Sequence, residues 1–251
     1  MDLGLAGRGY LLTGASRGLG FATARALVDD GARVLISSRS AEAVDAAVSS
    51  LGPAASGVAA DLAEPEAVPR LVDEAVERLG RVDGVLISVG GPAPGTVFQT
   101  TVEEWRDAFE SVVLGPLELV RTLVPHLAEG AAIAFVLSTS VREPLEGLAI
   151  SNGLRPGLGV TIKSLADELG PRGIRVLGLM PGTVATDRMM QLWDASGDPA
   201  AARAATESGI PLRRIGEPDE FGRVGAFMLS PAASYVTGTM IAIDGGRLRS
   251  L

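Results

Sequence analysis

Three glycines near the amino terminus could form a site for a phosphate group. They stand in the run Gly14-Ala15-Ser16-Arg17-Gly18-Leu19-Gly20, between a short apolar segment that ends at Thr13 and a helical pattern that starts at Leu19. A strand that turns directly into a helix leaves the first N–H groups of the helix unpaired, and these groups attract an anion together with the helix dipole. Glycine permits the positive φ angles and the close ligand approach that such a turn requires. A plain structural turn is the alternative interpretation of this spacing.

Two arginines lie where a bound dinucleotide would place the ribose of its adenosine half. Arg17 stands inside the glycine turn, and Arg39 follows the second predicted strand in the run Ser37-Ser38-Arg39-Ser40. In NAD-binding sheets an acidic residue near this point binds the ribose 2′-hydroxyl, whereas a guanidinium group pairs with the 2′-phosphate of NADP. No carboxylate follows the strand before Glu42, so the sequence favours NADP(H) over NAD(H). Two solvated surface arginines are the alternative.

Apolar, strand-like runs alternate with helical patterns along the whole chain. The candidate strands are Tyr10–Thr13, Arg33–Ser37, Gly57–Ala60, Gly84–Ser88, Ile133–Ser138, Ile174–Leu179 and Met240–Ile243. Helical patterns lie near 18–30, 41–51, 65–79, 101–128, 155–169 and 217–230. Buried strands separated by helices indicate a parallel sheet covered on both faces, and right-handed crossovers then give a doubly wound sheet. Since neither a linker nor a repeat is found, we predict a single α/β domain over residues 1–251.

Composition argues against several classes of function. The chain has 251 residues, of which 47% are hydrophobic and 21% charged, and this is enough for a buried core. A net charge of −8 without any basic run argues against nucleic acid or an anionic membrane as a partner. There is no cysteine, and the one histidine, His126, leaves little room for a transition-metal site; we interpret it as a surface or capping residue. Without a membrane-length apolar run or a basic, apolar leader, we expect a cytoplasmic protein.

Thr13 and the glycine turn together resemble the cofactor loop of the short-chain dehydrogenase/reductase family. Further segments resemble the same family almost residue by residue, and they are Ser164–Val176, Pro181–Thr186, Arg214–Pro218, Val236–Gly238 and Asp244–Gly246. The resemblance implies a Rossmann-like doubly wound sheet of about seven strands and an oxidoreductase that acts on a small carbonyl compound or alcohol. It also implies a homo-oligomer, a dimer or tetramer, that associates through the helices near 101–128 and 155–169, where Gly157 and Gly159 would allow close approach.

The residues and the resemblance together assign the cofactor contacts. These are Gly14, Ser16, Arg17, Gly18, Leu19, Gly20, Ser38, Arg39, Asp61, Leu62, Gly90, Arg155, Pro181, Gly182, Val184 and Thr186. Asp61 matches the family position that contacts the adenine, and a helix-capping aspartate is the alternative. The fourth strand ends in Ile87-Ser88-Val89-Gly90, where the family usually has Asn-Asn-Ala-Gly, so only Gly90 is retained there.

The resemblance breaks down at the position of the catalytic acid. Members of the family use a tyrosine as the acid and a lysine, four residues later, that lowers the pKa of the tyrosine and holds the nicotinamide ribose. Counting back from Ser164 places these two positions at Ser151 and Arg155. Counting forward from Ser138 also arrives at Ser151. The motif therefore becomes Ser-Asn-x-x-Arg, as in a divergent branch that resembles 3-oxoacyl-acyl-carrier-protein reductases.

The two other catalytic positions of the family differ in how well they are kept. The serine that polarises the carbonyl is retained as Ser138, although Thr139 and Ser140 are near enough to compete for this role. The asparagine that supports a water relay in the family corresponds, counted from Trp105, to Val112. Three of the four catalytic positions are therefore changed.

Two hypotheses about function follow. A serine hydroxyl is a far weaker acid than a phenol, and arginine stays protonated, so the acid of the family is missing. The leading hypothesis is an NADP(H)-dependent oxidoreductase in which Ser138 polarises the substrate oxygen, and Ser151 and Arg155 orient the cofactor and the substrate. The segment 187–210 would cover the substrate. The alternative is a protein that binds NADP(H) without catalysis, as a sensor or a partner subunit.

Overall fold

Seven parallel strands form the centre of the molecule in a computed structural model that describes residues 2–194 and 197–250. The strands are β1 (Gly9–Leu12), β2 (Arg33–Ser38), β3 (Ala55–Ala59), β4 (Val82–Ile87), β5 (Leu127–Val136), β6 (Arg175–Pro181) and β7 (Thr239–Ile243). Their spatial order is β3-β2-β1-β4-β5-β6-β7, and each neighbouring pair is parallel. Because β1 lies between β2 and β4, the order of the strands reverses there, where doubly wound sheets bind ligands.

Helices cover both faces of this sheet. They are α1 (Gly18–Asp29), α2 (Ala41–Leu51), α3 (Ala67–Leu79), α4 (Val102–Phe109), α5 (Gly115–Leu123), α6 (Ala149–Leu169), α7 (Asp187–Asp194), α8 (Pro199–Ser208) and α9 (Pro218–Leu229). Helices α3, α5 and α6 pack on one face, and α1, α2 and α9 pack on the other. The predicted fold class is thereby confirmed.

The alternation of side chains along the strands explains how both faces become buried. In β1, Leu11 packs towards α3, whereas Tyr10 and Leu12 pack towards α1 and α9. Successive side chains of a strand point to opposite faces, so a continuous apolar run supplies two cores at once. Within residues 2–194 and 197–250, no helix combines the length and the apolar character needed to cross a membrane.

Two elements near the candidate site begin earlier than the sequence patterns predict. The helix expected near 155–169 starts at Ala149, and the strand expected at Ile133–Ser138 starts at Leu127 and ends at Val136. Pro156 explains the first difference, because proline is typical of a first helical turn but here lies inside α6. The earlier start puts Ser151 inside the helix, four residues before Arg155 on the same face.

The helical pattern predicted near 101–128 is divided into three parts. A π-helical segment, Glu110–Leu114, separates α4 from α5, and the Gly115 N–H donates to the carbonyl of Glu110. Pro116 follows and has no N–H of its own, so the regular ladder cannot continue through this point. A Cβ at Gly115 would collide with the backbone carbonyl of Leu62. The chain ends this region with the exposed His126, as predicted, and enters β5 directly.

Candidate functional site

The glycine turn lies at the carboxyl end of β1, tightly packed against the end of β4. Gly14 has a φ of +56°, and a Cβ there would lie 2.5 Å from the Ser88 carbonyl oxygen. A Cβ at Gly20 would lie 2.7 Å from the Gly14 carbonyl oxygen. The Thr13 hydroxyl donates to the Ser88 carbonyl at 2.8 Å and accepts from the Ser88 N–H at 3.0 Å. Both glycines are therefore required by close backbone approach, and Thr13 holds the two strand ends together.

A cleft of about 760 Å³ opens above this turn, along the carboxyl ends of β1 to β4. Eight predicted cofactor contacts line it, namely Gly14, Ser16, Arg17, Ser38, Arg39, Asp61, Leu62 and Gly90. Its wall also includes polar or small residues that the sequence reasoning did not assign, among them Ser37, Ser40, Ser88, Gly91 and Ser111. Most of these lie next to a predicted strand end, and that position was the signal that could have found them. The volume is typical of a small-molecule or cofactor site.

The lining of this cleft carries more positive than negative charge. Arg17 and Arg39 are both exposed along its wall. Asp61 is the one carboxylate among the described residues that line the cleft, and it accepts a hydrogen bond from the Ala63 N–H at 3.1 Å. Helix α3 begins only at Ala67, so Asp61 does not cap that helix. The cleft therefore presents two guanidinium groups to a ligand, and its carboxylate already accepts one hydrogen bond from the backbone.

A second group of predicted residues meets between the end of β5 and the first turn of α6. The Ser138 hydroxyl oxygen accepts from the Ser140 N–H at 3.1 Å. The hydroxyl oxygens of Ser140 and Ser151 lie 3.2 Å apart, and both side chains are buried. The structure thus brings Ser138 and Ser151 together through Ser140. These residues are separate from the lining of the cleft above the glycine turn.

Arg155 contributes a buried cation to this group. Its side chain is only 5% exposed, and its Nη1 donates to the Val136 carbonyl at 2.7 Å, which ties α6 to the end of β5. Val112 is fully buried in the π-helical segment, so the asparagine position of the family offers no polar group here. A guanidinium group keeps its charge at any ordinary pH but does not give up a proton.

Neither tyrosine of the chain can replace the missing acid. Tyr10 is fully buried between the sheet and helices α1 and α9, and its hydroxyl has no hydrogen-bond partner among the described residues. Burial, with a smaller effect from the Asp83 carboxylate, raises the pKa of Tyr10 to about 12. Tyr235 is fully exposed beyond the end of α9.

The remaining predicted contacts lie in the turn after β6 and at the start of α1. Gly182 N–H donates to the Ile243 carbonyl at 2.9 Å, and Val184 pairs with Gly216. A Cβ at Gly18 would come within 3.6 Å of the Thr186 methyl group, so this turn lies beside the glycine turn. Pro181 is the last residue of β6, while Leu19 and Gly20 lie in the first turn of α1.

The segment predicted to cover the substrate forms α7 and α8 with a small apolar cluster of its own. Trp193, Ile210 and Ile215 are buried together, and the Arg203 guanidinium lies 6.0 Å from the centroid of the Trp193 ring. Residues 195 and 196 of this segment lie outside the described residues.

The cleft fits the dinucleotide that the fold implies. Gly14 and Gly20 let the turn pack closely on its own backbone and on the end of β4, and Gly90 has open space in front of it. Within the described residues, α1 has no side-chain cap and no acidic residue in its first turn, so nothing there competes with a phosphate for the N–H groups. Arg17 and Arg39 would hold a 2′-phosphate, and the glycine turn would hold the pyrophosphate.

Fold, glycine turn and cleft together define a nucleotide-binding protein of the doubly wound class. Residues 14–247 match the sequence model of the family described as enoyl-(acyl carrier protein) reductase. The chain belongs to the short-chain dehydrogenase/reductase family of oxidoreductases. It is 35% identical over 242 residues to an uncharacterized oxidoreductase of Mycobacterium tuberculosis, covering 94% of this chain and 90% of the relative.

Two solved structures are similar over the whole length of both chains. L-sorbose reductase from Gluconobacter frateurii, complexed with NADPH and L-sorbose, is 28% identical and covers 100% of each chain, with a TM-score of 0.95. A short-chain oxidoreductase from Pseudomonas aeruginosa PAO1, described as containing an atypical catalytic center, is 29% identical with the same coverage and a TM-score of 0.92.

Proposed function

We propose that this protein is an NADP(H)-dependent oxidoreductase that interconverts a small carbonyl compound and its alcohol through a non-standard active site. The single observation that carries the proposal is the cleft at the carboxyl edge of the sheet, where Arg17 and Arg39 are both exposed above a glycine turn. Guanidinium groups pair with a 2′-phosphate, which only the phosphorylated dinucleotide has. The NADPH complex of the Gluconobacter frateurii reductase supports the same choice.

The buried group beside β5 supports a role in carbonyl chemistry. When bound, the cofactor supplies a hydride. The Ser138 and Ser151 hydroxyls would donate hydrogen bonds to the carbonyl oxygen. A water molecule held by them would give the proton that completes the alcohol, and the hydroxide left behind would take a proton from the solvent. Arg155 would contribute a permanent positive charge that favours negative charge developing on that oxygen. Loss of a good general acid typically slows a reaction by about 10²–10⁴-fold without preventing it.

Turnover with a panel of carbonyl compounds tests this function. The absorbance of NADPH is followed with ketones, diketones, ketoses and an acetoacetyl thioester, and alcohols are tested with NADP⁺. We expect slow, substrate-dependent oxidation of NADPH by at least one class of carbonyl compound. The control reaction omits the carbonyl substrate, because background oxidation of NADPH must be subtracted from so slow a rate.

A second candidate function is a protein that binds NADP(H) without turning over a substrate. Its support is the contact of Arg155, whose guanidinium is buried against the Val136 carbonyl and so holds the fold together at the site itself. Saturable NADPH binding without turnover in either direction would favour this function over the reductase. Failure to bind either dinucleotide would exclude both.

We further propose a homo-oligomer that associates through α4, α5 and α6. Phe109, Leu114 and Val160 are large apolar side chains exposed on this helical surface, at 43%, 41% and 69%. Gly157 has open space around it, whereas a Cβ at Gly159 would meet Val141 and Met240 inside the molecule, so only Gly157 remains available to a partner helix.

Light scattering should give a multiple of the 25.7 kDa chain mass, and Val160→Glu should lower the measured mass. If light scattering gave a molar mass of 25.7 kDa for the parent protein at micromolar concentration, it would be a monomer, and the proposal would be wrong.

A further inference from the structure

Ser140 touches both hydroxyl residues of the candidate active site from a buried position. It lies in the short 3₁₀ turn Thr139–Val141 after β5, and its side chain is 4% exposed. Its N–H donates to the Ser138 hydroxyl oxygen at 3.1 Å. Its own hydroxyl lies 3.2 Å from the Ser151 hydroxyl and 3.5 Å from the Ser151 carbonyl oxygen. One residue therefore connects the end of β5 with the first turn of α6.

The hydrogen-bonding capacity of a hydroxyl group indicates what these contacts do. A hydroxyl has one donor and two acceptor positions. Because the Ser138 oxygen accepts from a backbone N–H, its orientation is restricted while its own proton stays available for a ligand. The one Ser140 proton can reach the Ser151 hydroxyl oxygen at 3.2 Å and the Ser151 carbonyl oxygen at 3.5 Å; when it is donated to the nearer hydroxyl oxygen, the Ser151 proton also stays available. Both oxygens are then held by accepting, and both protons remain for another acceptor.

We propose that Ser140 is a positioning residue that orients the Ser138 and Ser151 hydroxyls as a pair of donors to the substrate carbonyl oxygen. This inference rests on the proposed reductase function. Two oriented donors resemble an oxyanion hole, whose groups act by being fixed before charge develops. The Ser140 and Ser151 hydroxyls, beside the retained Ser138, would in this way take over the hydrogen-bonding part of the work that the phenol performs in the family. They do not replace its acidity.

Removing the Ser140 hydroxyl should therefore lower kcat more than it changes KM. Loss of one oxyanion-hole donor typically costs about 10²–10³-fold in kcat, and loss of positioning alone should cost less, about 10-fold. Ser140→Ala should show this decrease with KM and NADPH affinity within about threefold of the parent. Ser140→Thr, which keeps a hydroxyl, should recover most of the rate. In Ser151→Ala, the further change Ser140→Ala should add little, because the two residues act together.

Ser230→Ala is the matched control for these variants. Ser230 is also a fully buried serine, and its hydroxyl donates to the Phe227 carbonyl at the end of α9. It lies away from the cleft and from the Ser138, Ser140 and Ser151 hydroxyls. Ser230→Ala should lower the melting temperature by about as much as Ser140→Ala does, while its kcat stays unchanged. An unchanged kcat in Ser140→Ala, or an equal decrease in Ser230→Ala, would overturn the positioning role.

A structural measurement separates failure of this inference from failure of the proposed function. A high-resolution crystal structure of Ser140→Ala should show the Ser151 side chain in a changed rotamer or in more than one. If Ser151 keeps a single unchanged orientation without the Ser140 hydroxyl, Ser140 does not position it, whether or not the parent protein turns over any substrate. Ser138 should stay unchanged, because the backbone N–H that holds it is also present in the alanine variant. If Ser151 reorients while the parent is inactive, the positioning holds and the reductase function fails.

Discussion

Substituting Ser151→Tyr and Arg155→Lys together should raise the rate of NADPH-dependent carbonyl reduction by about 10²–10⁴-fold, the usual contribution of general acid–base catalysis. Ser151 and Arg155 lie four residues apart on α6, and their side chains are 6% and 5% exposed. A phenol at the first position is a much better proton donor than a serine hydroxyl. A lysine ammonium at the second position lowers the pKa of that phenol, because its positive charge stabilises the phenolate.

The two single substitutions should show that the effect is not additive. Ser151→Tyr alone should raise the rate only slightly, because the guanidinium bound to the Val136 carbonyl at 2.7 Å is not placed as a lysine ammonium would be. Arg155→Lys alone should give no gain, since the serine remains the donor. The measurement is kcat for all four proteins with the same carbonyl substrate, analysed as a double-mutant cycle. Val112, buried where the family has asparagine, is expected to keep the double variant below an ordinary family member.

Arg175→Lys is the control for the cost of changing a buried arginine. Arg175 is 6% exposed on β6, and its Nη1 and Nη2 donate to the Met228 and Ser230 carbonyls at 2.8 and 2.9 Å, away from the candidate site. Arg175→Lys should lower the melting temperature without raising kcat. A double variant that binds NADPH like the parent but keeps the parent rate would contradict the idea that the site lacks only an acid.

NADPH should bind the parent protein at least tenfold more tightly than NADH, and Arg39→Ala should reduce this difference while Arg17 keeps part of it. A hydrogen bond to a charged group contributes about 1.5–3 kcal/mol, which corresponds to tenfold or more in affinity. Arg39 is exposed along the cleft and should contact only the 2′-phosphate, so NADH affinity should stay the same. Titration of each nucleotide by fluorescence or calorimetry at fixed salt measures the ratio.

Arg106→Ala controls for the change in net charge. The Arg106 side chain is 73% exposed on α4, where its Nη1 lies 3.5 Å from Glu103. If Arg106→Ala reduces the preference for NADPH as much as Arg39→Ala does, the effect comes from the overall charge of the protein, and the assignment of Arg39 to the 2′-phosphate is wrong. Equal affinities of the parent for the two nucleotides would also contradict it.

Local sequence patterns determined the layers of this fold and the position of the cleft. The apolar runs at Tyr10–Thr13 and Gly84–Ser88 agree with β1 and β4 to within two residues at each end, because alternating buried strands and helices leave few other packings. Gly14, Arg17 and Arg39 were identifiable as cleft residues for a similar reason. In a parallel sheet the carboxyl ends of all strands meet at one edge, so the residues that follow a strand are brought together whatever the details of packing.

Only the tertiary structure decided how the changed catalytic positions are used. Ser140 and Ser151 are eleven residues apart and Arg155 and Val136 nineteen, and their contacts depend on how α6 lies against the end of β5. The sequence pattern placed the start of this helix near Arg155, yet the helix begins at Ala149 and contains Pro156 in its interior. Residue types alone showed that the tyrosine and lysine are missing. That buried hydroxyls and an anchored guanidinium occupy their place follows from long-range packing, which no local pattern of residues encodes.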